Sequence, residues 1–201
     1  LALSGCPGSE LLLRENFAGY CRAVLEEMAE TLVNENLPPL LVGAPIANPV
    51  PQGKPLHNSA VLLKEGRVIV IARKVLLPAD GMQDDYRYFE PGVACGVVQY
   101  NGWRLGVAIG EDLWHDRAFW KDRRQFDTDP VEEFRSGGAD ALLNLTAIPF
   151  YSGGLELHKR LIGWTASKYR VPTITVNQVG GMDSVIYPGG SMLVNANGAL
   201  C

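Results

Sequence analysis

The chain has 201 residues, is 47% hydrophobic and 20% charged, and carries a formal net charge of −4 with a mean hydropathy near zero. Such a length suits one packed domain and such a composition excludes a disordered chain, while the mild acidity gives no general attraction to nucleic acid or to an anionic membrane. No apolar stretch approaches the ~20 residues that span a bilayer, and no signal-peptide layout opens the sequence, so a cytoplasmic setting without membrane contact is expected.

Leu1 stands inside an apolar run, and Cys201 follows a turn-like "NANG" that should lead into another strand, so a fragment cut at both ends is expected. Phe17, Cys21, Val24, Met28 and Leu32 recur every three or four residues among glutamates, which predicts an amphipathic helix over residues 14–34. "PPLLVGAPI" reads as a buried strand, and "HNSAVLLKEGRVIVIARK" as a hairpin around a Lys-Glu-Gly turn.

Residues 77–92, "LPADGMQDDYRYFEPG", hold two prolines and two glycines and read as a long, potentially functional loop. "VACGVVQYNGWRLGVAIG" is a second hairpin, with Asn101-Gly102 supplying a type I′ turn and the second strand ending at Gly110. Farther on, Asp129 can cap and Pro130 open a helix that Gly137-Gly138 closes. "DALLNL" is a strand, residues 154–170 a helix, and "VPTITVNQV" and "GGSMLVNA" two more strands. Hairpins mixed with strand-helix-strand units make an α/β sandwich of one domain, with helices covering sheets.

The stretch "GVAIGEDLWHDRAF" holds the candidate chemistry, because a strand that stops at a sharp turn can present a nucleophile beside backbone N–H donors. With Glu111, Asp112 and Trp114 after the turn, it resembles the "CEDLW" segment of the nitrilase, or carbon-nitrogen hydrolase, superfamily. "HNSAVLLKEGRVIVIARKVLLP" with "YRYFEPG" resembles that family's lysine motif and its following loop, and "ADALLNLTAIPF" its strand after the nucleophile. "VPTITVNQVGGMDSVIYPGGSMLVNANG" looks like the glutaminase domain of glutamine-dependent NAD synthetases in particular.

The resemblance implies a four-layer αββα sandwich and a Glu-Lys-Cys mechanism. In it a cysteine attacks the side-chain amide of glutamine, a glutamate moves protons, and a lysine stabilises the tetrahedral intermediate. It also implies a homo-oligomer, a domain without a cofactor of its own, and a separate synthetase domain that takes ATP, a nicotinic acid dinucleotide and the released ammonia.

Lys74 aligns with the lysine; the bland alternative is a surface lysine at a strand end. The glutamate's place falls just before Leu1, and the cysteine's place is held by Gly110, which has no atom able to attack a carbonyl. The chain is therefore expected to be silent in hydrolysis. A natural pseudoenzyme, an altered codon and a substitution made to trap a complex are the competing origins of that glycine. A scaffold for assembly, or a hydrolase of another amide or N-carbamoyl substrate, are the alternative functions.

Around these positions Glu111 either orients the site or solvates a turn, and Trp114 is core filling or a pocket wall. Glu90 is a second carboxylate or a solvated loop charge, and Tyr86 and Tyr88 are candidates for the substrate entrance. Thr146 and Ile148 fall where relatives resembling "NLSASP" carry hydroxyl residues. His57, His115 and His158 have no partner spacing and read as structural or exposed, and "KDRR" at residues 121–124 reads as a solvated insertion. Cys6, Cys21, Cys95 and Cys201 show no metal-ligand spacing and are expected as thiols. "VGGMDSV" resembles the SGGxDS loop of ATP pyrophosphatases, but Val179 replaces the serine and strand signals follow where a helix is needed, so no ATP site is expected there.

Overall fold

The computed structural model describes residues 1–5, 9–78, 84–93, 96–121, 129–182 and 184–201, without the side chains of Ser9 and Arg135. Cys6, Cys95, most of "KDRR" and residues 79–83 of the predicted loop lie outside the described residues. The described chain forms two compact units, Leu1–Val93 and Ala94–Cys201.

In the first unit one helix, α1 (Phe17–Asn34), packs on an antiparallel sheet of order β1-β2-β3, formed by Leu40–Ala47, Leu56–Lys64 and Arg67–Arg73. The helix buries Cys21, Leu25 and Ala29, with Met28 and Leu32 partly buried beside them, while Val24 is 43% exposed. Its inward stripe therefore runs through Leu25 and not through Val24, because residues four and eight beyond Cys21 stack on one helical face. Val42, Ala44, Val61 and Leu63 from the sheet complete that core. The β2–β3 turn puts Glu65 at φ 53 and Gly66 at φ 71, the two left-handed residues that a tight hairpin needs.

In the second unit the sheet has the order β10-β7-β6-β5-β4. Strands β5 (Trp103–Ile109), β6 (Ala141–Thr146) and β7 (Thr173–Asn177) are parallel, and β4 (Gly96–Tyr100) and β10 (Met192–Val194) flank them antiparallel. The parallel pairs require crossovers, and the helices α4 (Pro130–Ser136) and α5 (Gly154–Tyr169) supply them. Asp129 accepts a hydrogen bond from Val131 N at 3.0 Å and so caps α4 as its sequence predicts. Phe134, Leu142, Ile162 and Ala166 are the heart of this unit's core.

Strand β7 reverses the usual pattern: Thr173, Thr175 and Asn177 are buried, while Ile174 and Val176 are 37% and 53% exposed. A separate hairpin pairs β8 (Val179–Met182) with β9 (Val185–Pro188), so a strand follows Ser184 as its sequence signals. A short helix, α2 (Asp85–Tyr88), lies inside the predicted loop, and α3 (Arg117–Trp120) follows the "EDLW" segment.

Gly106 on β5 marks a close approach. A Cβ there would stand 2.6 Å from the Phe134 ring and 2.9 Å from Leu142, both fully buried and unable to retreat. Gly106→Ala is expected to lower stability by about 1–3 kcal/mol through overpacking, as measured by chemical denaturation.

Candidate active site

Lys74 follows the last residue of β3 and is only 4% exposed. Its backbone is pinned on both sides: its N–H donates to Asn58 O at 2.8 Å, and its carbonyl accepts from Gly92 N at 2.8 Å. Its Nζ donates to the Asp85 carboxylate at the start of α2, which is itself 2% exposed. The surface-lysine alternative is thereby excluded, because an ammonium leaves water only for a partner that compensates its charge.

Sequence reasoning did not single out Asp85 or Asn58. Asn58 stands opposite Lys74 on β2, is 4% exposed, and its Oδ1 has no hydrogen-bond partner among the described residues. The one available signal was an asparagine followed by a serine inside an otherwise apolar strand.

The rest of that loop divides its roles. Tyr86 is 58% exposed with the Lys54 ammonium 3.3 Å above its ring, whereas Tyr88 is buried. Glu90 turns its carboxylate to the Lys54 N–H at 2.9 Å and lines a cavity with His57 and Arg73 to which Lys74 does not contribute.

In the second unit β5 ends at Ile109, and Gly110 opens a short 3₁₀ turn, Gly110–Leu113, with φ 53. That left-handed backbone makes the bend sharp and favours a residue without Cβ. Asp112, 1% exposed, returns its carboxylate to Ile109 N at 3.1 Å and fixes the bend. Trp114 packs partly buried against the unit's core and stacks on Trp120 with ring centroids 6.0 Å apart, so it fills core. Glu111 is half-buried in the turn and its carbonyl accepts from Trp114 N at 2.7 Å.

The register Ile109↔Leu145 and Thr146↔Asn177 brings Gly110, Thr146 and Asn177 together at the carboxyl edge of three parallel strands. This is the edge at which open α/β sheets bind ligands. Ile148 is buried beyond it, and its N–H donates to Asn177 Oδ1 at 2.8 Å. It borders a cavity of about 300 Å³ with Tyr151, Glu156, His158 and Asn177, of which Thr146 and Gly110 are not part.

All three histidines are buried. His158, 3% exposed on α5, has its pKa pushed down to about 4 by burial, from an ordinary value of 6.5. Between those values the unfolded chain takes up a proton that the folded chain refuses, so stability falls as pH drops through that window. The expected loss reaches about 3 kcal/mol by pH 4. Denaturation followed from pH 7 to pH 4 measures it, and His158→Gln should flatten that slope.

Elsewhere in the unit Asp116 caps α3 through Ala118 N and Phe119 N and pairs with Lys168 of α5 at 2.6 Å. The Lys168 ammonium holds the Asp116 carboxyl below the ordinary range despite its burial. Cys21 is a buried thiol and Cys201 an exposed one. Among the described residues no cluster of side chains could hold a metal ion, and no helix is long and apolar enough to cross a membrane.

No family model matches the chain. Over its whole length it is 37% identical to a glutamine-dependent NAD(+) synthetase of Synechocystis, of which it covers 36%. Among solved structures it is similar to a glutamine-dependent NAD+ synthetase of Acinetobacter baumannii, with a TM-score of 0.80 and 28% identity over 98% of this chain and 34% of that one. An amidase of Nesterenkonia sp. AN1 with acrylamide added to its active-site cysteine matches at a TM-score of 0.73 and 19% identity, over 96% of this chain and 68% of that one. The chain thus spans about a third of the length of the curated relatives it matches.

Proposed function

From a chain that has the nitrilase fold and is related end to end to glutamine-dependent NAD+ synthetases, we propose a glutaminase-type domain whose hydrolytic step is switched off at Gly110. What supports this reading is the left-handed glycine that follows β5, together with the resemblance of this stretch to the "CEDLW" segment, in which a cysteine takes that place. Everything that shapes the bend is present: the strand, the Asp112 clasp and the neighbouring strand end at Thr146. What is missing is the sulfur. Without it no thioester forms, and an amide held there keeps its C–N bond.

In this reading Lys74 is the buried cation assigned to the oxyanion by resemblance, and Asn58 and Gly92 hold its backbone in place. By kinship the amide that would fit such a site is glutamine, and an intact site would pass its ammonia to a synthetase domain. The direct test is ammonia release from glutamine by the full-length protein and by its Gly110→Cys variant. Equal rates for the two would end this reading.

A further inference from the structure

The first unit carries a second concavity, of about 330 Å³, between the β1–β2 loop at residues 48–55 and the segment 90–93. Val50, His57, Arg73, Glu90, Pro91 and Val93 line it. Arg73 pairs with Ser59 across β2 and Lys74 follows it, so alternation sends the two side chains to opposite faces of the sheet. The cavity is therefore separate from the Lys74–Asp85 pair.

Its frame is rigid. Asn48 Nδ2 donates to Lys54 O at 2.9 Å and Val50 N to Asn48 Oδ1 at 3.0 Å, which closes the loop on itself. Glu90 N donates to Leu56 O at 2.7 Å, and Glu90 Oε2 accepts from Lys54 N at 2.9 Å. A Cβ on Gly92 would run into the Arg73 carbonyl oxygen, so that glycine is required by close approach, and Gly53 stands at φ 82, where glycine is favoured.

Within this frame three polar groups of different character meet. The partly buried Arg73 guanidinium is permanently charged, and its Nε is buried without a hydrogen-bond partner among the described residues. His57, 6% exposed, donates from Nδ1 to Glu90 O at 2.8 Å, which leaves Nε2 as the ring's other polar atom. The Glu90 carboxylate supplies the negative charge. A guanidinium, a carboxylate and an imidazole nitrogen in one small cavity match a zwitterion better than a simple anion.

We propose that this cavity binds a free α-amino acid by its carboxylate and its ammonium. The carboxylate pairs with Arg73, the ammonium donates to Glu90 and to His57 Nε2, and Val50, Pro91 and Val93 form the wall for the side chain. The assignment does not depend on the hydrolase reading, since neither Gly110 nor Lys74 takes part.

Calorimetric titration of the chain with L-norvaline, pentanoate and butylamine tests it, because the last two each lack one charge of the first. Norvaline should bind at least roughly tenfold tighter than either, as expected for loss of a charge-assisted hydrogen bond. Arg73→Gln should weaken norvaline by about the same factor, and Glu90→Gln should erase the preference over pentanoate. Should Glu90→Gln not fold, the norvaline-to-pentanoate ratio of the unaltered chain reads the role of Glu90 instead. Failure of norvaline to bind, equal binding of pentanoate, or indifference to Arg73→Gln would each overturn the proposal.

Discussion

Gly110→Cys in the full-length protein should turn glutamine hydrolysis on, and Lys74→Ala in that background should take most of it away. The first change restores a two-step covalent route whose loss, in comparable nucleophile deletions, costs on the order of a million-fold in rate. The second removes the buried cation that the proposed reading assigns to the oxyanion, a contribution worth roughly a hundred- to a thousand-fold. Restoration also has a structural cost. Gly110 has φ 53, and an L-residue held there costs about 1–2 kcal/mol, so the variant should be more active and slightly less stable. Ammonia release paired with urea denaturation checks both halves, and an active variant of unchanged stability would show that the bend had relaxed.

Asp85→Asn should destabilise the first unit by about 3 kcal/mol, since it replaces the buried carboxylate that the Lys74 ammonium donates to by a neutral amide. The double change Lys74→Met with Asp85→Leu should recover most of that loss, because burying two apolar side chains avoids desolvating two ions. Denaturant midpoints of the single and double variants measure the difference. If Asp85→Asn were as stable as the parent, the pair would contribute nothing to the fold.

Much of the backbone plan is legible in the amino-acid order alone, and the reasons are local. Glu65-Gly66 and Asn101-Gly102 fall at positive φ as their hairpins demand, and Asp129 caps its helix through a contact two residues away. Such signals lie within a few residues of one another. The amphipathic stripe of α1 is legible too, but with its face displaced at Val24, because an apolar residue on a helix flank satisfies the same spacing without being buried.

What the sequence conceals depends on contacts across the fold. Asp85 lies eleven residues beyond Lys74 in a proline- and glycine-rich stretch, and no periodicity announces that its carboxylate and the lysine's ammonium share a buried spot. Arg73 and His57 owe their meeting to the β2–β3 register and to the return of residues 90–93, which hydropathy does not encode. The inverted pattern of β7 is of the same kind: threonines and an asparagine face inward there, with Thr175 Oγ1 lacking a partner among the described residues, while branched aliphatics face out. Trp114 is ambiguous in the sequence between core and pocket wall, and its stacking on Trp120 resolves it as core.

The bend at Gly110 has an evolutionary corollary. Because its geometry is held by Asp112 and tolerates a bare backbone best, trading the reactive side chain for hydrogen relieves a conformational tension and leaves the scaffold intact. In the proposed reading silencing is then favourable to the fold, and a glycine codon ending in a pyrimidine stands one base from cysteine. A lineage could lose and regain catalysis here by single mutations without ever passing through an unfolded ancestor.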